Sequence, residues 1–259
     1  MSHQLRMEIE VLELRTRHPF IIARGGQSDY RTVWVRLRDP DGHEGWGEAA
    51  PTRFYGETTE SVLEALDTYG RLLPDDPFDL EETERRWEQL LRRNPAARAA
   101  LSSALHDLVG KRLGVPLYRL WGLDPAKAPR STFTIGLDTP ENMSAKVEEA
   151  AQYPILKIKL GTERDVEILR TIRDATDREI RVDANCGWTL KQTVQMLPVL
   201  KEFGVTVLEQ PLAPDQLDGL AEIRRRAEIP IIADESCETA ADIPPLVGKV
   251  DGINIKLAK

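Results

Sequence analysis

The sequence has almost no cysteine, only Cys186 and Cys237 among 259 residues. That excludes a disulfide framework and points to a reducing compartment, the cytoplasm. It also lacks an excess of positive charge. Lys and Arg total 35 against 43 Asp and Glu, a net charge of −8 with no long basic run. Nucleic acid, whose phosphates demand Lys and Arg, is a poor partner for such a chain. No stretch approaches the roughly 18 apolar residues of a membrane span. The opening MSHQLRMEIE lacks the apolar segment of a signal peptide. Histidine is missing from the second half, since His3, His18, His43 and His106 all lie upstream, which weakens any zinc site there. A Gly-x-Gly-x-x-Gly fingerprint is missing too, which argues against a dinucleotide fold.

What is present is ordinary globular composition, 41% hydrophobic and 30% charged. The first part reads as strands and then helices. Residues 6–17 and 31–38 are extended runs, and Asp41-Gly42 signals a hairpin into a strand at 43–49. Between the first two runs, Arg24-Gly25-Gly26-Gln27-Ser28-Asp29 reads as a flexible polar loop. Helical spacing follows from Thr58, then over about 79–93 and 96–113. This order predicts an α+β capping domain over residues 1–125.

The rhythm then changes. Short apolar strands at 131–136, 155–160, 179–184, 205–210, 229–234 and 251–256 alternate with helical segments at 140–152, 162–175, 189–203, 215–227 and 239–247. Such alternation predicts parallel βαβ units. Six in succession predict a TIM-type (β/α) barrel over residues 126–259. Eight units would need about two more, so the barrel is expected to be truncated after its sixth strand.

The strand ends carry the chemistry. Lys159, Asp183, Glu209, Asp234 and Lys256 close the second to sixth strands, each roughly one βα unit from the last. In a barrel these positions ring one mouth. Three ionised carboxylates repel one another there unless a cation intervenes, and an all-oxygen donor set suits Mg²⁺, with Mn²⁺ the alternative. The cysteines, three residues beyond Asp183 and Asp234, read as small loop residues rather than thiolate ligands. Strands two and six face each other across a ring. Lys159 and Lys256 would therefore flank a central substrate, one amine on each face, the arrangement for removing and returning a proton. Any one of these residues alone could be nothing more than a solvated strand end. Lys157 lies on the same strand face as Lys159 and could simply line a polar mouth.

Together, Lys157-Ile158-Lys159, Asp183-Ala184-Asn185, Glu209-Gln210-Pro211, Ala233-Asp234-Glu235-Ser236 and Asn254-Ile255-Lys256 resemble the muconate-lactonizing subgroup of the enolase superfamily. Gly45-Trp46-Gly47-Glu48-Ala49 resembles that family's capping domain. The resemblance implies Asp183, Glu209 and Asp234 as Mg²⁺ ligands, with Lys159 and Lys256 as acid/base lysines. It gives Lys157 to substrate binding and makes Asn185 and Asn254 supporting polar groups. The implied chemistry is the one established for enolase-superfamily sites, abstraction of a proton α to a carboxylate through an enediolate. Thr134-Ile135-Gly136 is similar to dipeptide epimerases, which makes Thr134 a substrate contact and a dipeptide the expected small-molecule substrate. Arg24 would pair with a substrate side-chain carboxylate, as its planar fork suits. Other reactions of the subgroup remain open: N-acylamino acid racemisation, o-succinylbenzoate synthesis and muconate cycloisomerisation. A non-catalytic metal-binding fragment is the alternative of a different class. Barrels of this family commonly form homo-oligomers, so an oligomer is also an expectation of the resemblance.

Overall fold

The computed structural model describes residues 5–91 and 93–259. His3 and the first residues of the opening segment lie outside the described residues, as does position 92 in the second expected helix. The chain forms two compact units. One comprises the described residues of 1–15, 29–128 and 256–259, the other 16–28 and 129–255.

The chain opens with a three-stranded sheet in the order β1 (Arg6–Ile22), β2 (Gly25–Arg38), β3 (Glu44–Ala49), of which residues 16–28 group with the second unit and the rest with the first. Helices α1 (Thr59–Gly70), α2 (Leu80–Leu90), α3 (Pro95–Leu113) and the single turn α4 (Leu117–Leu120) follow. Thr58 caps α1 in a reciprocal box with Ser61, which satisfies otherwise orphaned helix N–H groups. On β2, Val33, Val35 and Leu37 are fully buried at alternating positions, as a strand with one core face requires.

Strand β3 lies against α3 because Gly45 and Gly47 leave room for it. A Cβ on Gly47 would stand 1.9 Å from the Ala100 carbonyl oxygen, and one on Gly45 1.9 Å from that of Ala104. The facing helix residues are alanines, so two backbones meet directly. The Trp46 N–H donates to Asp107 on the same helix at 2.9 Å.

One expectation is corrected here. Residues 24–29 do not form a loop. Strand β1 runs on to Ile22 and β2 begins at Gly25, leaving a turn of Ala23 and Arg24. Polar composition masked a two-sided hairpin, whose pairing depends on backbone rather than on an apolar face. Gly26 permits the close pairing, since a Cβ there would meet the Phe20 carbonyl oxygen at 2.2 Å.

The second unit is built on a parallel six-stranded sheet in sequential order. Its strands are β4 (Thr132–Ile135), β5 (Ile155–Lys159), β6 (Glu179–Asp183), β7 (Val205–Glu209), β8 (Ile231–Ala233) and β9 (Gly252–Ile253). The connections contain α5 (Pro140–Glu149), α6 (Asp165–Ala175), α7 (Leu190–Glu202), α8 (Leu217–Arg226) and the short α9 (Ile243–Leu246). Leu156, Ile158, Ile180, Val182, Leu208 and Ile231 are buried against Leu169, Ile172, Leu200 and Ile223 from these helices.

The last unit of the pattern departs from expectation. The helix expected over 239–247 is a 3₁₀ turn followed by four residues, because Pro244 and Pro245 remove backbone donors. The sixth strand keeps only two residues at the sheet edge, so Asn254 to Lys256 lie beyond regular strand. Among the described residues no helix is long and apolar enough to cross a membrane.

Two stability predictions follow from this packing. Replacing Gly47 with Ala forces a methyl into the Ala100 carbonyl, and should destabilise the first unit by about 3 kcal/mol in urea denaturation; a loss under 1 kcal/mol would contradict the close approach. Asp138, at the start of α5, accepts from Lys146 Nζ at 2.6 Å, Asn142 Nδ2 at 2.9 Å and the Thr139 N–H at 2.8 Å. Burial would raise its carboxyl, but these donors outweigh burial and hold it down at about 2, against an ordinary 3.8. A depressed folded-state value means the contribution is complete above about pH 4 and disappears as the pH falls towards 2. The D138N variant should lose about 2 kcal/mol at pH 7, and should show a shallower decline between pH 4 and 2. Equal slopes for variant and parent would count against it.

Candidate active site

The parallel register brings charged strand ends side by side. Lys159 pairs with Asp183 across β5 and β6, and Asp183 with Glu209 across β6 and β7. Glu209 pairs with Ile232, which puts Asp234 just past the end of β8. One carboxylate oxygen from each of Asp183, Glu209 and Asp234 lies within 4.8 Å of the others, and all three residues are buried.

Two amines enter this cluster from β5. Alternation along a strand puts residues 157 and 159 on one face. Lys159 Nζ lies 2.7 Å and Lys157 Nζ 2.9 Å from the same Asp183 Oδ2. Lys157 also reaches Glu209 Oε2 at 2.7 Å. Burial pushes the Lys159 amine below its ordinary value, and the neighbouring Lys157 ammonium adds to that against the pull of Asp183. Lys157 moves the other way: burial opposes its charge, but Asp183 and Glu209 together raise it. Burial would raise Asp183, yet the two ammoniums hold it low. Glu209 is raised by burial and by the charge of Asp183. Two equivalent-looking lysines thus differ in basicity, Lys159 lowered and Lys157 raised.

Neighbouring polar groups fix the carboxylates. Asn254 Nδ2 donates to Glu209 Oε1 at 2.8 Å, and the Asn185 N–H donates to Asp183 Oδ1 at 2.9 Å. Gln210 is fully buried with φ of 33°, and its Oε1 accepts from the N–H groups of Asp234 at 2.9 Å and Ser236 at 3.1 Å. It holds the turn that carries Asp234, a role that its place in Glu209-Gln210-Pro211 did not disclose. The donor set fits a hard divalent cation: three buried carboxylates, oxygen only, oriented by outer hydrogen bonds. Among the described residues this cluster includes neither cysteine, and burial pushes the Cys186 thiol up to about 12.

The remaining candidates are placed differently. Thr134 is half-buried on β4 and registers opposite Lys157. Arg24 Nη1 donates to Glu235 Oε1 at 2.7 Å and to the Asn185 carbonyl at 2.6 Å. Lys256 is exposed beyond β9 and groups with the first compact unit.

Removing one charge from D183N, E209Q or D234N should weaken Mg²⁺ or Mn²⁺ binding by about 100-fold in calorimetric titration, whereas N254A should weaken it by about 10-fold, the effect of an outer partner. Unchanged affinity in all three carboxylate variants would remove the metal site.

Comparison with known proteins agrees with this geometry. Residues 6–122 match the model of the mandelate racemase / muconate lactonizing enzyme N-terminal domain, and residues 142–259 that of the enolase C-terminal domain-like family. The L-Ala-D/L-Glu epimerase of Bacteroides thetaiotaomicron is 42% identical over 258 residues, covering 99% of this chain and 67% of its own length. The crystal structure of a dipeptide epimerase from Enterococcus faecalis, complexed with Mg and the dipeptide L-Leu-L-Tyr, superposes with a TM-score of 0.92 at 33% identity, covering 99% of this chain and 75% of that one. A substrate-liganded L-Ala-D/L-Glu epimerase from Bacillus subtilis gives 0.91 at 29% identity, covering 98% and 75%. With a capping domain followed by a parallel-sheet domain, the chain belongs to the mandelate racemase / muconate lactonizing enzyme family of the enolase superfamily and is similar to its dipeptide epimerases.

Proposed function

We propose that this protein is an isomerase that moves a proton at the carbon α to a carboxylate, epimerising a dipeptide with Mg²⁺ as its cofactor. The observation that carries the proposal is the buried Lys159 amine, lowered in basicity and 2.7 Å from a carboxylate of an oxygen-only cluster. Epimerases among its relatives act on dipeptides. Asp183, Glu209 and Asp234 would hold the ion. When bound, it would stabilise negative charge developing on the substrate carboxylate as the α-proton leaves.

The chain's own residues do the rest. Lys159 accepts the α-proton at Nζ, its amine lowered in basicity by burial against the pull of Asp183. Lys256, from the Asn254-Ile255-Lys256 motif, serves the opposite face. Lys157, paired with Asp183 and Glu209, binds and orients the substrate carboxylate. Thr134 contacts the substrate from β4, and Arg24 receives a side-chain carboxylate. Asn185 and Asn254 keep the ligands in place.

The six parallel strands, in sequential order without reversal, support reading them as consecutive strands of a (β/α) barrel, with residues 126–259 as the catalytic domain and 1–125 as the cap. A chain with two cysteines and no disulfide framework suits the cytoplasm.

The test is α-proton exchange in D₂O by the purified protein with a dipeptide library. Two bases on opposite faces give a stereochemical signature. K159A should lose exchange of one epimer by about 1,000-fold while retaining the other, and K256A should do the reverse. Absence of exchange with every dipeptide would sink the substrate assignment. Undiminished exchange in both variants would sink the mechanism.

A further inference from the structure

The tip of the β1–β2 hairpin is seated at the ends of the parallel strands by several contacts, most of them to residues outside the proton-transfer machinery. Within the second unit, the Leu137 N–H donates to the Ile21 carbonyl at 2.9 Å, and the Phe20 ring centre lies 5.9 Å from Lys159 Nζ. Ala23 fills a notch made by two glycines. A Cβ on Gly161 would stand 2.6 Å from the Ala23 Cβ, and one on Gly187 would stand 2.8 Å from it. Both glycines follow strands that end in site residues, Lys159 and Asp183. The methyl of Ala23 thus occupies space that side chains at 161 or 187 would take.

Next to that notch, Arg24 is tied down by a buried acid. Glu235 is 3% exposed, whereas the Arg24 side chain is 32% exposed. Glu235 Oε1 accepts from Arg24 Nη1 at 2.7 Å and from Asn185 Nδ2 at 3.2 Å. Arg24 Nη1 also donates to the Asn185 carbonyl, presented by left-handed backbone at Asn185 (φ 46°) and Cys186 (φ 63°). A buried carboxylate beside a half-exposed guanidinium is an asymmetric pair. Removing the arginine strands a buried charge, while removing the acid leaves the guanidinium its Asn185 carbonyl and partial access to water.

We propose that Glu235 is a positioning residue. With the Gly161/Gly187 notch it latches the Ala23-Arg24 turn onto the turns that follow Asp183 and Asp234, and so sets where the Arg24 guanidinium stands. Its catalytic consequence rests on the reading of Arg24 as the receptor of a substrate side-chain carboxylate. Glu235 then controls preference for acidic second residues over apolar ones. It does so without touching the reacting carbon.

Two measurements on the purified protein separate the latch from the function. In hydrogen–deuterium exchange, E235A should speed exchange across residues 16–28 by about 10-fold, the effect of losing a charge-assisted hydrogen bond. E235Q, which keeps an acceptor oxygen, should be intermediate. Unchanged exchange in E235A overturns the latch whatever the activity. In kinetics, E235A should raise KM about 10-fold for L-Ala-L-Glu with kcat within about 3-fold, leave L-Ala-L-Leu unaffected, and add nothing to R24A in the double variant. Equal KM changes for both dipeptides, or full additivity with R24A, overturn the role of Glu235 through Arg24. Faster exchange at 16–28 in a protein whose parent turns over no dipeptide supports the latch and removes only the functional reading beneath it.

Discussion

Mutual repulsion among three buried carboxylates is the constraint on which this molecule depends. Asp183, Glu209 and Asp234 are each buried and within 4.8 Å of one another. Such a cluster survives folding only if positive charge is close. Lys157 and Lys159 supply part of it directly, through contacts of 2.7–2.9 Å to Asp183 and Glu209. A divalent cation would supply the remainder. The same repulsion differentiates the groups. Asp183 takes both ammoniums and stays low, Glu209 is driven up, and Lys159 becomes the weaker cation of the two. The asymmetry in basicity between the two lysines is therefore a by-product of how the charge is balanced.

That balance needs accurate placement, and parallel pairing provides it. Lys159 and Asp183 are register partners, as are Asp183 and Glu209. A slip of one residue would turn each side chain to the opposite face of the sheet. The apolar residues between them, Ile158, Val182 and Leu208, are buried in the core and make such a slip costly. Core packing and site geometry are thus one specification. Gln210 extends it past the strand ends by bonding the backbone of the turn that carries Asp234.

Small residues do comparable work at two other places. In the first unit, Gly45 and Gly47 let β3 approach α3 until backbones touch. In the second, Gly161 and Gly187 accept the Ala23 methyl. Each pair sits where an added Cβ would collide with backbone or with a fixed methyl, so neither place could relax around a larger side chain.

By itself the residue pattern determined the alternation of short apolar strands with amphipathic helices, and the polar residue with which several strands end. Both are local, periodic properties, and period is what a one-dimensional string preserves. It also supplied the charged residues from which a site could be assembled. Folding alone decided that 24–29 would not be a loop, since a paired hairpin is stabilised by its partner strand and leaves no apolar trace. The same holds for Gln210, whose bonds to the Asp234 and Ser236 N–H groups span 24 or more residues of sequence, and for Glu235, whose partners Arg24 and Asn185 lie farther still; these are chosen by register and turn geometry. Which of two lysines on one strand face is the weaker cation was likewise set by burial and by the distances to Asp183 and Glu209. Those are three-dimensional quantities, and the identity of a side chain does not contain them.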